Sequence, residues 1–176
     1  QYLVFFKDVQ LPQDALIGEE GKGMKYLFDG LNTERLALAS MAVGLGNRAL
    51  DKAVAYAKER APFGTPIGSY QGLQHPMARA KAHLEASRLV MLEAARTFDR
   101  GEDAGPLSNM AKLLTSEACD EAVDIALQAH GGYGFDQDYD VVTLWPFARL
   151  MRVAPVNNEM ILNYIGEHVL GLPRSY

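Results

Sequence analysis

From Met24 to Arg60 the chain runs without a single proline, and its apolar residues keep helical time. Met24, Leu27, Phe28, Leu31, Leu38, Met41, Leu45, Ala49, Ala53 and Tyr56 recur at the three-and-four spacing of one helical face. A helix over this stretch spans roughly 50 Å at about 1.5 Å per residue. A rod of that length needs long partners beside it, because helices draw most of their stability from packing an apolar face. Gly30, Gly44 and Gly46 interrupt it. Each costs about 1 kcal/mol relative to Ala, which predicts close packing or a bend. One carboxylate, Glu34, falls inside the stripe, with Leu31 and Leu38 at i−3 and i+4 and Met41 at i+7. Gly30 and Ala37 leave space beside it. The pattern supports two readings: a carboxylate at the stripe's edge reaching water, as most helical Glu do, or an acid aimed into a cavity.

The remaining chain supplies the partners. A second long helix is predicted from about Gln71 to Arg100, with Leu73, Met77, Ala80, Leu84, Ser87, Met91 and Ala95 inward. Pro76 lies within its first turns, where a missing N–H is tolerated. A third is predicted from about Leu107 to His130, with Met110, Leu113, Leu114, Ala118, Ala122, Ile125 and Leu127 inward and Gly131-Gly132 as its stop. YGFDQDYD reads as a loop, Val142 to Arg152 as a shorter helix, Asn158 to Leu170 as the last, and LPRSY as a tail. Short connections between three long helices and two shorter ones predict an all-α, up-down helical bundle. Residues 1–22 are different. YLVFF is a run of β-formers followed by the turn-rich KDVQLPQDALIGEEGKG. A lone strand cannot satisfy its backbone groups. The partner strands of this short β stretch are therefore expected to lie outside this sequence.

Charge and cysteine usage exclude several classes. A net charge of −5 and a pI of about 5.4 offer no electrostatic footprint for nucleic acid or an anionic membrane. No apolar run approaches the ~20 residues of a spanning helix. The chain opens without Met and shows no signal-peptide pattern, so a non-secreted fragment of a longer protein is expected. The one cysteine, Cys119, fits a reducing compartment, either bacterial cytoplasm or mitochondrial matrix. His75, His83, His130 and His168 lack second ligands at metal spacing, so no metal site is predicted. HGGYGF follows a helix rather than a strand and is no dinucleotide fingerprint. It is either a helix C-cap or a bare backbone surface for a flat or phosphorylated ligand. Arg60 either complements a helix C-terminus or, set before a rigid Pro-Phe-Gly turn, aims at a phosphate.

Four stretches, in order and spacing, resemble the C-terminal region of the acyl-CoA dehydrogenase family. They are FFKDVQLPQDALIGEEGKGM, LNTERLALAS, YAKERAPFGTPIGSYQGLQHPMA and LQAHGGYGF, and the likeness covers nearly the whole chain. The resemblance implies a C-terminal four-helix bundle over residues 23–176, with residues 1–22 as a short β remnant, the last strand and linker of a preceding β domain. It also implies an FAD enzyme that introduces a trans-2 double bond into an acyl-CoA thioester and passes electrons to an electron-transfer flavoprotein. Such chemistry needs a desolvated base for the weakly acidic α-proton and an electron-poor flavin for the β-hydride. The family's commoner base lies in a Tyr-Glu-Gly-Thr pattern, which here reads Ala154-Pro155-Val156-Asn157 and offers no acid. Isovaleryl-CoA and long-chain members instead place a Glu in the long helix, matching Thr33-Glu34-Arg35. The resemblance therefore implies Glu34 as base, with Asn32, Thr33 and Arg35 along the acyl-CoA path. It implies FAD contacts at Arg60, Phe63 and Gln71, at Gln128, Ala129, His130, Gly131 and Gly132, and at Asn157, Asn158 and Glu159. Several of these reach a neighbouring subunit's flavin, so a homodimer or a homotetramer built as a dimer of dimers is implied.

The chain also departs from the family pattern. Thr143-Leu144-Trp145-Pro146-Phe147 stands where the family commonly has Arg-Leu-Tyr-Arg-Asp, and Val156 replaces a glycine. Two alternatives follow: an oxygen-using relative such as an acyl-CoA oxidase or flavin monooxygenase, or a non-catalytic oligomerisation module. The fragment alone is expected to be inactive.

Overall fold

The computed structural model describes residues 2–175 and is all-helical. Three long helices carry it: α1 (Gly23–Glu59), α2 (Gln71–Asp99) and α3 (Gly105–His130). Two short ones follow, α4 (Leu144–Val153) and α5 (Asn158–Tyr164), the latter continued by a π-helical turn at Ile165–Val169. The expected four-helix bundle is present, and each predicted helix lies within a few residues of its place. The last one differs, because its second half is π-helical rather than α-helical.

α3 is the central element. It packs against α1 and α2, and α4 and α5 lie across it. α1 and α3 make the most extensive pair because the facing residues are small. Ala42, Ala49, Ala53 and Ala57 of α1 meet Cys119, Val123, Ala126 and Ala129 of α3 in one cluster. At the three-helix crossing sits Gly46, where an added Cβ would stand 2.6 Å from Leu84 Cδ2 and 3.3 Å from Cys119 Cα. This glycine exists for close approach, as expected. Gly30 and Gly44 meet nothing within 4 Å, so packing does not explain them here.

The apolar stripes are partly corrected. The α2 stripe is inward, with Met77, Ala80, Leu84 and Ser87 buried. In α1, however, Met24, Leu27, Phe28 and Met41 are exposed, and the buried face runs through Arg35, Ala39, Ala42, Val43 and Gly46. In α3, Leu114 is exposed, while Ala111, Lys112, Thr115 and Ser116 are buried. Alanine-rich helices offer little contrast between faces, so their few large apolar residues mislead about which side packs.

The expected strand over YLVFF does not form. Residues 2–12 are exposed and irregular, with Asp8 at φ +52° and one 3-10 turn after them at Gln13–Ala15. A strand needs a partner for its ladder, and this chain has none among the described residues. The tail runs extended to Ser175; Gln1 and Tyr176 lie outside the described residues. No described helix is long and apolar enough to cross a membrane.

Candidate functional site

Two clefts gather most of the residues singled out by sequence. The first, about 550 Å³, opens where α1 ends and α3 stops. Arg60 and Tyr56 come from the end of α1, and Gln128, Ala129, His130, Gly131 and Gly132 from the end of α3. The turn after α1 is tied back by Ile67 N–H donating to the Arg60 carbonyl at 2.8 Å. His130 is buried and stacks on Tyr56 with ring centroids 4.3 Å apart, and Tyr139 meets both edge-on. His130 Nδ1 lies 2.7 Å from the Ala126 carbonyl oxygen, so Nδ1 carries a proton and donates it to that carbonyl. Gly131 holds φ +59° and ψ −133°, a backbone conformation open essentially to glycine alone, and α3 stops there. A Cβ at Gly131 or Gly132 would touch nothing within 4 Å, so this corner is bare, approachable backbone. Arg60 makes no ion pair among the described residues and lies 5.9 Å from the Tyr133 ring centroid. A free guanidinium, an aromatic wall and an open glycine surface suit a planar group bearing phosphate.

The residues present here therefore fit the adenosine and phosphate part of a dinucleotide. Phe63 and Gln71 do not join this cleft; both are exposed, Phe63 at 86%. Tyr56, Tyr133 and Asp136 line it unforeseen. Tyr56 was legible only as part of an apolar stripe, whereas Tyr133 stands inside the HGGYGF motif itself.

The second cleft, about 380 Å³, lies between the front of α1, the start of α3 and α5. Asn32 and Arg35 face it together with Asn109, Val156 and Tyr164. Arg35 is only 5% exposed. Its Nη1 donates to Asn32 Oδ1 at 2.9 Å, and its Nε is buried without a hydrogen-bond partner. Burial pulls the Arg35 pKa down, and the charges of Tyr164 and Glu34 oppose that pull. Burial, then Asp103, raises Tyr164.

Helical spacing divides the Asn32–Arg35 group. Positions i and i+3 share a face, so Asn32 and Arg35 point into the cleft. Thr33 and Glu34 are exposed outside it. The Thr33 hydroxyl donates to the Gly30 carbonyl at 2.8 Å. Glu34 makes no hydrogen bond or ion pair among the described residues.

The turn from Ala154 to Asn157 joins α4 to α5. Asn157 caps α5, its Oδ1 accepting from Met160 N–H at 2.8 Å. Asn158 is turned inward: its Oδ1 accepts from Lys112 Nζ at 2.8 Å and its Nδ2 donates to Ser116 Oγ at 3.1 Å. Glu159 is exposed. Lys112, almost fully buried on α3, was missed by sequence reasoning. The signal available was a lysine followed at i+3 and i+4 by Thr115 and Ser116, small residues of a packed face.

Comparison with known proteins decides the family. Residues 21–170 match the acyl-CoA dehydrogenase C-terminal domain. The chain belongs to the acyl-CoA dehydrogenase family. An acyl-CoA dehydrogenase of Mycobacterium bovis is 46% identical over 178 residues, covering 100% of this chain and 46% of that protein. The solved glutaryl-CoA dehydrogenase in complex with glutaryl-CoA superposes with TM-score 0.90 at 30% identity, covering 97% of this chain and 44% of that one. PigA with FAD and proline does so with TM-score 0.90 at 32% identity, covering 95% and 43%. The chain thus spans less than half the length of these relatives. In this chain the two clefts gather the motif segments, the first HGGYGF and Arg60, the second Asn32 and Arg35.

Proposed function

We propose that the protein containing this domain is an FAD-dependent acyl-CoA dehydrogenase that forms a trans-2-enoyl-CoA, with Glu34 as the α-proton base. One observation carries the assignment. Glu34 is an uncommitted carboxylate beside the Asn32–Arg35 cleft, while Pro155, at the commoner position, has no group that can take a proton. Glu34 is open to water in this chain. Coverage by a flavin-bearing β domain and a thioester would remove water, and desolvation raises a carboxylate's pKa toward the range in which it abstracts protons. FAD, when bound, supplies the hydride acceptor. Arg60 would hold phosphate oxygens, and Gln128 through Gly132 would let the cofactor approach backbone, with Tyr56 keeping His130 in place. Phe63 and Gln71, exposed and idle here, would complete a site across a subunit boundary, which supports a homodimer or a dimer of dimers. Residues 1–22, with bare Leu3, Phe5 and Phe6, would belong to the preceding β domain. Electrons would leave to an electron-transfer flavoprotein.

The test is anaerobic flavin bleaching in the full-length protein with short, branched and long acyl-CoAs. Glu34→Gln should slow bleaching by about 10²–10⁴-fold while FAD stays bound. Undiminished bleaching in the variant would remove Glu34 from the role. No bleaching of the wild type by any thioester would end the dehydrogenase reading, and rapid oxygen consumption would then favour an oxygen-using relative.

A further inference from the structure

α5 is held to the bundle by very little. It buries only two residues, Asn158 and Ile161, and one of these is polar. The Asn158 carboxamide is gripped by Lys112, whose side chain is 1% exposed and whose Nζ donates to Asn158 Oδ1 at 2.8 Å. Asn158 Nδ2 donates to Ser116 Oγ at 3.1 Å, and Ser116 Oγ donates to the Leu113 carbonyl at 2.9 Å. Lys112 makes no ion pair among the described residues. A lysine is a poor choice here for stability alone. Burying an ammonium without a contacting carboxylate costs several kcal/mol, and an apolar side chain of like volume commonly does as well or better. What an apolar residue would lose is the directional bond to Asn158. That residue adjoins Asn157, the α5 cap, and lies two positions from Val156 in the second cleft.

We propose that Lys112 is a positioning residue: its buried ammonium, clamped on the Asn158 amide, fixes the turn 154–157 and the first turn of α5 against α3. The clamp stands on geometry alone; its consequence for chemistry rests on the flavin and acyl-CoA reading of the site. The turn occupies the place of the family's commoner base, so its displacement falls on the reacting end of the substrate. Misplacement by about 1 Å costs about a hundredfold in rate. The charges that reach Lys112 are balanced between elements. Burial pulls its pKa down to about 8; Glu159 of α5 and Glu117 of α3 favour the proton, while Arg152 of α4 and Arg35 of α1 oppose it. The ammonium is therefore lost as pH rises through about 8, and with it the charge-assisted strength of the bond.

The experiment uses the full-length flavoprotein, wild type beside Lys112→Met, which keeps a long unbranched side chain. Hydrogen exchange of the segment 154–162, followed by mass spectrometry, should rise by about tenfold in the variant while α2 stays unchanged. Flavin reduction by acyl-CoA at saturation should fall by about tenfold or more at pH 7, and the wild type's break near pH 8 should vanish. Unchanged exchange in 154–162 would overturn the clamp. Raised exchange with the break retained would overturn its role in positioning. If no thioester reduces the wild-type flavin, the dehydrogenase reading fails and the exchange result still decides the clamp. If Lys112→Met does not fold, Asn158→Asp gives the ammonium a carboxylate partner. Corrected for intrinsic exchange, the pH above which 154–162 loses protection should then move up by about one unit or more, and an unmoved onset overturns the proposal.

Discussion

Gly46 and Gly44 make a matched pair that isolates the α1–α2–α3 crossing. Both lie inside α1, so alanine at either position recovers about 1 kcal/mol of helix propensity. At Gly44 the new methyl meets nothing within 4 Å. At Gly46 it would stand 2.6 Å from Leu84 Cδ2 and 3.3 Å from Cys119 Cα. Leu84 is fully buried and cannot swing into solvent. The Cys119 contact is backbone, so relief requires α1 and α3 to move apart along an alanine-lined seam. Overpacking of this kind costs about 1–3 kcal/mol. Gly44→Ala should therefore stabilise by about 0.5–1 kcal/mol. Gly46→Ala should fall between roughly neutral and about 2 kcal/mol destabilising. The assay is the chemical-denaturation midpoint of the two variants beside wild type, with the slope checked for constancy. Equal stabilisation by both alanines would refute the close crossing as the reason for Gly46.

Three further outcomes follow from the packing around Lys112, Cys119 and Asn157. Lys112 has a folded-state pKa of about 8 against an ordinary 10.5, so the unfolded chain binds the extra proton between those values. The wild type should accordingly gain stability relative to Lys112→Met, on the order of a few kcal/mol, as pH rises from 8 to 10.5; a flat difference across that window refutes the buried charge. Burial, then Asp120, pushes the Cys119 thiol up to about 12, so alkylation of the folded protein at pH 8 should proceed only at the rate of unfolding, and fast labelling would contradict the packing around it. Removing the Asn157 cap with Asn157→Ala should cost about 1 kcal/mol, read as a lowered denaturation midpoint, and no change would mean that α5 does not depend on its cap.

Much of the architecture was legible in order along the chain. Prolines and glycines punctuate it, and between them the three-and-four spacing is long enough to leave no choice but helices. Arg60 and the Gln128–Gly132 run, to which the family resemblance gave a common ligand, lie in one cleft. The α1 and α3 faces were not legible. Their packed sides are rich in alanine, with serine, threonine, a buried arginine and a buried lysine among them, and a pattern built on large apolar residues pointed instead to Met41 and Leu114, which are exposed. Glu34 shows the same limit from the other side. Sequence placed it on an apolar flank, but whether it faces a cavity depends on rotation of the helix by less than one residue's turn.

By itself the sequence determined helix number, most helix ends and the family, because these depend on local periodicity, turn chemistry and motif order. Only the tertiary structure decided that Arg35 turns inward while Glu34 turns out, and that Gly46 marks the crossing while Gly44 does not. The partnership of Lys112 with Asn158, forty-six residues further on, belongs to the same class. Those facts depend on which faces of three nearly featureless helices meet, and that choice is made by the fit of all of them at once.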